Sequence, residues 1–190
     1  MSEKYIGTKF TTVFKGDFIP NITEKKHIKA LISAGHTFGE MGIKDKNGGN
    51  ISTREEGGII IKRTGAHPFE LKSEDFVFVE KARGDKVYAR GKFEPSSEAR
   101  LHLDIYKVRP DVNCILHCHD FLGVNCPEKY SDIGYIKKQS YGTVELALEV
   151  ARQAKKFDYL IEEGHGIIAL GSDVKTTLLK IKKFHKRFIK

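Results

Sequence analysis

Eight consecutive residues, Asn113-Cys114-Ile115-Leu116-His117-Cys118-His119-Asp120, constrain the fold more than any other stretch of this chain. Side chains alternate across a strand, so this segment reads as a buried strand that delivers two imidazoles to one face. His117 and His119 then point the same way and Cys118 points the other way. Two imidazoles on one face can share a metal ion if a third ligand arrives from elsewhere. Taken alone, such a pair is more often incidental.

Composition narrows the setting. A chain of 190 residues fits one domain, 1–190, with a sizeable core. A hydrophobic fraction of 39% and a charged fraction of 31% indicate a soluble globular protein. No apolar run is long enough to cross a bilayer, and the N-terminus lacks the apolar core of a signal peptide. Cys114, Cys118 and Cys126 form no Cys-x-x-Cys pair, which argues against a disulfide framework and for a reduced, cytoplasmic location. The formal net charge of +8 reads first as a lysine-rich solvated surface. An anionic small substrate or a nucleic acid would also suit it, but no RNA-binding aromatic motif or helix-turn-helix signature is present, and nucleic acid is not expected as a partner.

Along the chain, Phe10 to Phe18 read as an N-terminal strand or arm. Thr23 is the expected N-cap of a first helix with Ile28, Leu31, Ile32, Gly35 and Phe38 on one face, ending at Gly39 or Gly42. Asn47 to Ser52 form a turn opening into a strand, Gly57-Gly58 a hairpin turn, and Ile59 to Lys62 the return strand. A Thr64 to Pro68 loop precedes strands Phe76 to Glu80 and Lys86 to Ala89, joined by Arg83-Gly84-Asp85. Pro95-Ser96-Ser97-Glu98 starts a helix, with serine as cap, an acid in the first turn and Pro110 as its stop. Asp120 to Ser140 show no period and are expected to be loop. Thr143 caps a helix through Ala154. Strands Tyr159 to Glu162 and Ile167 to Leu170 flank the Gly164-His165-Gly166 loop, and Ser172 caps the last helix.

Several residues in this layout are suited to chemistry, and each has a plainer reading. His165, between two glycines at a strand junction, is placed for a close approach to a ligand, although a histidine bonded within its own turn is the simpler local account. Ser96, Ser97 and Glu98 at a helix start offer hydroxyls, backbone N–H groups and an acid beside any bound anion, or else a plain cap. His102, one turn later, reads as support for Glu98. Gly49-Asn50 with Ser52, and Thr64-Gly65, are glycine turns that suit phosphate but are locally ambiguous.

The order of these motifs is more informative than any one of them. Gly48 to Ser52, Thr64-Gly65, Ser96-Ser97-Glu98, Arg109-Pro110-Asp111, His117 with His119, and Gly164-His165-Gly166 together resemble the class II aldolase/adducin family, from about Thr23 to the chain end. The resemblance implies a three-layer α/β/α fold with a mostly antiparallel central sheet, and a homotetramer with sites near subunit interfaces. It implies Zn2+, or another divalent transition metal, held by His117, His119 and His165. Glu98 would be the catalytic acid/base and occupy a metal position when substrate is absent. Gly49, Asn50, Thr64, Gly65, Ser96 and Ser97 would hold a substrate phosphate.

The implied reaction is cleavage of a ketose 1-phosphate of the fuculose 1-phosphate type to dihydroxyacetone phosphate and an aldehyde. Within the same family a pentulose-phosphate 4-epimerase and a methylthioribulose-1-phosphate dehydratase are the alternatives. A non-catalytic interaction module, as in adducin, would be expected to lose the histidines or Glu98. The interval from His119 to His165 is short for the sugar-phosphate aldolases. It leaves Tyr130, Tyr135 and Tyr141 as candidate proton donors without a matching motif. His67 is unusual after Thr-Gly-Ala and reads as an exposed loop histidine.

Overall fold

The computed structural model describes residues 7–43, 45, 48–122, 124 and 130–189. In chain order the elements are β1 (Thr11–Phe14), α1 (Ile22–Glu40), β2 (Asn50–Glu55), β3 (Gly58–Lys62), β4 (Phe76–Arg83), β5 (Lys86–Arg90), α2 (Ala99–Val108), β6 (Cys114–Cys118), β7 (Gly134–Ile136), α3 (Val144–Ala154), β8 (Tyr159–Glu162), β9 (Gly166–Gly171) and α4 (Val174–Ile189). The strands form one sheet in the order β1-β5-β4-β3-β2-β6-β9-β8-β7. β6, the strand expected from the His-x-His segment, lies inside it between β2 and β9, and all five of its residues are buried.

The expectation of a mostly antiparallel sheet is corrected to a mixed one. The inner pairings are antiparallel, but the outermost two, β1 with β5 and β7 with β8, are parallel. Parallel neighbours need a crossover, and α3 supplies it between β7 and β8. β7 was hidden in the region expected to be loop because three residues are too few to show alternation.

Alternation along β6 sorts its side chains between two cores. Cys114, Leu116 and Cys118 join Ile28, Leu31 and Phe38 of α1 and Ile181 and Phe184 of α4. Ile115 joins Leu101 and Ile105 of α2 and Leu146 and Val150 of α3. Burying each such aliphatic side chain contributes roughly 1.5–3 kcal/mol, so apolar residues, not the histidines, fix where β6 sits.

Helix starts differ in detail. Asn21, not Thr23, caps α1: its side chain accepts from the Glu24 amide at 3.0 Å, and Glu24 reaches back to the Asn21 amide at 2.7 Å. Asp173 takes the role expected of Ser172, accepting from the Thr176 amide at 2.9 Å. Thr143 caps α3 as expected. Cys114 and Cys118 are buried free thiols, while Asn47 and Cys126 lie outside the described residues. No helix among the described residues is long and apolar enough to cross a membrane.

Candidate metal centre and acid–base site

Antiparallel pairing brings the end of β6, the start of β2 and the turn between β8 and β9 to the same edge of the sheet. Asn50 is paired with His117, and Cys118 with Ile167. His119 follows β6 directly, and His165 sits in the β8–β9 turn. The three imidazoles converge, with ring centroids 5.3 Å (His117–His119), 4.9 Å (His117–His165) and 4.7 Å (His119–His165) apart, all edge to face. They present one ligand atom each within 4.8 Å of one another.

Each ring is anchored through Nδ1. His117 Nδ1 donates to the Ile167 carbonyl at 2.8 Å. His119 Nδ1 stands 2.6 Å from Asp45 Oδ2, and His165 Nδ1 stands 2.7 Å from Glu162 Oε2. A proton held on Nδ1 leaves the lone pair on Nε2. Burial holds the pKa of His117 well below the usual histidine value, and the neighbouring His165 and His119 add to this; burial also lowers His119. Both imidazoles are therefore neutral near pH 7, the form that ligates a metal.

Glu98 completes the cluster. It was expected in the first turn of a helix capped by serine. Instead it occupies the cap position of α2 itself, and its carboxylate makes no capping bond. Its side chain turns inward, where Oε2 accepts from Asn50 Nδ2 at 2.6 Å and lies 3.5 Å from His117 Nε2. His117 Nε2 and Glu98 Oε1 are buried with no hydrogen-bond partner. Buried nitrogen and carboxylate oxygen atoms that face one another and lack hydrogen-bond partners are the donor set a divalent transition metal takes, and the residues fit such an ion.

Behind Glu98, Ser52 Oγ shares hydrogen bonds with His102 Nδ1 at 2.7 Å and Tyr106 Oη at 2.8 Å. Burial lowers the pKa of His102 to about 4, so it too is neutral. The hydrogen bond of His102 Nδ1 thus runs to Ser52, whereas its spacing from Glu98 suggested direct support of that acid.

The expected phosphate-holding residues occupy three neighbouring segments. Thr64 donates its amide to Glu94 and Ser96 donates its amide to Lys62, so 62–65 and 94–97 run side by side. Gly65 has φ +71° and is exposed, and Ser96 and Ser97 are buried. Gly49 has φ +87°, and a Cβ there would lie 2.5 Å from the His117 carbonyl oxygen, so glycine is needed to let β2 reach β6. Asn50, also expected to hold the phosphate, donates from its amide nitrogen to Glu98. His67 is half-buried and stacks on Phe69, rather than exposed.

Three contributors escaped sequence reasoning. Lys62 is buried, donates to the Ala66 carbonyl at 2.8 Å, and feels Glu98; burial lowers its pKa to about 8. Its signal was a lysine ending an otherwise apolar strand. Asp45 and Glu162 reach the histidines through pairings that no local pattern announces.

A mixed α/β sheet carrying three converging histidines and a buried acid at one edge defines a class: an α/β protein with a candidate divalent-metal centre. The chain belongs to the class II aldolase and adducin family, whose N-terminal domain model matches residues 29–188. It is 31% identical over 150 residues to an L-fuculose phosphate aldolase of Methanocaldococcus jannaschii, covering 72% of this chain and 79% of that one. It is also 35% identical over 99 residues to a methylthioribulose-1-phosphate dehydratase of Serratia proteamaculans, covering 52% of this chain and 47% of the relative. A solved L-fuculose 1-phosphate aldolase superposes with a TM-score of 0.73 at 23% identity, over 86% of this chain and 85% of that chain, a likeness of fold.

Proposed function

We propose that this chain is a metal-dependent lyase that cleaves a ketose 1-phosphate of the fuculose 1-phosphate type to dihydroxyacetone phosphate and an aldehyde. The observation that carries the reading is the Glu98 carboxylate, held by Asn50 and facing the open Nε2 of His117 at 3.5 Å. His117, His119 and His165 would hold the ion, Zn2+ or a similar divalent metal. When bound, it supplies Lewis-acid stabilisation of the negative charge that develops as the carbon–carbon bond breaks.

The other roles fall to the chain's own groups. Asn50 fixes one carboxylate oxygen of Glu98 and leaves Oε1 to carry the proton at the carbon next to the ketone. Gly49, Asn50, Thr64, Gly65, Ser96 and Ser97 would seat the phosphate, with Asn50 also holding Glu98. Seating the phosphate contributes position, not bond breaking. Lys62, buried beside Glu98, adds a cationic donor at the border of the site.

The similarity to a methylthioribulose-1-phosphate dehydratase supports a second reading with the same residues. There Glu98 moves a proton so that water is lost instead of an aldehyde. The 4-epimerase reading also uses these groups, whereas the adducin-like reading gains nothing from an intact set of three histidines and a glutamate. The opposed helix pairs support a three-layer α/β/α domain spanning 1–190, and we place the protein in the cytoplasm as a homotetramer by family resemblance.

The deciding experiment offers zinc-loaded protein a panel of ketose phosphates, ketose 1-phosphates and pentulose phosphates among them, and identifies products by NMR. Release of dihydroxyacetone phosphate supports the aldolase, loss of water the dehydratase and inversion at a carbinol carbon the epimerase. No turnover of any of them would refute the enzyme reading.

A further inference from the structure

Glu162 and Glu163 are adjacent acids with opposite fates. Glu163 is exposed, and its Oε2 accepts from the Lys138 amide at 3.0 Å. Glu162 is 3% exposed, shares the α2–α3 side of the sheet with Leu160, and neither of its oxygens has a well-aligned hydrogen-bond partner. A buried carboxylate left in that state is strongly destabilising unless a positive or proton-donating group compensates it. Among the described residues, its ion-pair contact is Nδ1 of His165 at 2.7 Å.

The backbone enforces this meeting. Glu162 and Gly166 are paired across β8 and β9, the His165 amide donates to the Glu162 carbonyl at 3.0 Å, and Gly164 takes φ +68°. The two side chains leave one tight turn three residues apart. Glu162 also lies with Glu98, His117 and His165 in a group whose donor atoms are within 4.8 Å of one another. His117 is anchored through Nδ1 by a carbonyl and His119 by Asp45; His165, on a turn with 25% of its side chain exposed, is the most exposed of the three rings.

We propose that Glu162 is a positioning residue for the metal centre: it accepts the Nδ1 proton of His165, selects the tautomer with an open Nε2, and turns that lone pair toward the ion shared with His117 and His119. The inference rests on the metal-centre reading of the three histidines. It goes beyond that reading by assigning the third ligand's geometry to a buried acid outside the expected ligand set. A partner that orients a ligating imidazole changes metal affinity by about 10–100-fold.

Zinc affinity is measured by competition with a chromophoric chelator for the parent, Glu162→Leu and Glu162→Gln. Glu162→Leu keeps the volume and removes the acceptor, and is expected to weaken zinc binding by about 10–100-fold. Glu162→Gln retains an acceptor oxygen and is expected to recover most of that loss. Unfolding of the metal-free proteins by urea separates this role from a structural one: Glu162→Leu should be at least as stable as the parent, since a buried charge has gone. In the zinc-loaded parent, nitrogen-15 NMR should find His165 protonated at Nδ1, and in Glu162→Leu that proton should exchange rapidly. Zinc affinity within twofold of the parent in both variants would overturn the proposal, as would equal losses in both, which would point to the charge and not the acceptor. A parent that binds no zinc would overturn the metal-centre reading itself, and this inference with it.

Discussion

The two ends of strand β6 solve opposite problems. At its start, around Asn113, two arginines each make several hydrogen bonds. Arg54 donates to the carbonyls of Val112 at 2.9 Å and of Tyr106 and Arg109 at 2.7 Å. Arg109 donates to the Ala154 carbonyl and to Asp111 at 2.7 Å, and to Asp158 at 2.8 Å. At the other end the account is left open. Of the nine buried side-chain polar atoms without a well-aligned hydrogen-bond partner among the described residues, six belong to Asn50, Glu98, His102, His117 and Glu162. Native interiors satisfy nearly all such atoms. The start of β6 is built to be stable, and its end is built to receive something. The Arg109-Pro110-Asp111 motif therefore belongs to the scaffold, although it lies among the candidate-site motifs in sequence.

The sharpest break between the ends should come from Glu98→Gln. It is expected to slow deuterium exchange into dihydroxyacetone phosphate by about 10²–10⁴-fold while zinc remains bound. Loss of zinc together with exchange would erase the distinction between base and ligand. At the opposite end, Arg54→Met removes three charge-assisted bonds and is expected to cost about 2–4 kcal/mol in urea unfolding, with zinc affinity unchanged. An altered zinc affinity would mean that the ends communicate. Gly49→Ala stands between the two: its positive φ and the nearby His117 carbonyl predict a loss of about 1–3 kcal/mol, with weakened metal binding, by calorimetry of both forms.

Acid should also separate the ends. His102 is neutral in the fold down to about pH 4, whereas an unfolded histidine takes up a proton near 6.5. The unfolded chain therefore binds more protons in that window, and metal-free protein loses stability as pH falls from 6.5 toward 4. Its arginine partner lowers the Asp111 pKa from 3.8 to about 2, so that contribution is intact above 3.8 and fades only below it. Urea titrations at stepped pH should show the first loss shrink in His102→Asn, the remainder belonging to His117 and His119, and the second vanish in Asp111→Asn. The smallest effect is expected at Cys118→Ala, about 1 kcal/mol of stability with no change in zinc affinity, because that side chain faces the α1–α4 core.

Much of this was legible beforehand because it is local. Strand alternation put His117 and His119 on one face, glycines marked the turns, and apolar periodicity marked the helices. Glu98 was found by its neighbours Ser96 and Ser97, but its orientation was not, because Asn50 and His117 set it from distant strands. Glu162 read as one residue of a strand, since nothing in Glu162-Glu163 says which acid turns inward until β9 pairs with β8. Asp45 and Lys62 escaped for the same reason. β1 and β7 pair at the outer edges through crossovers that leave no periodic trace.

The place of β6 between β2 and β9 also orders events in time. β2 precedes β6 in synthesis, but β9 follows it across α3 and β8, so this buried strand keeps one hydrogen-bonding edge open while the rest of the chain is made. Such long-range pairing is slow, and the exposed edge is the segment most prone to mispairing in the interim. The turn that closes this edge also carries His165. If the three histidines hold an ion as proposed, a nascent chain with only His117 and His119 would grip it incompletely, and ion uptake would be a clock that starts when β9 docks.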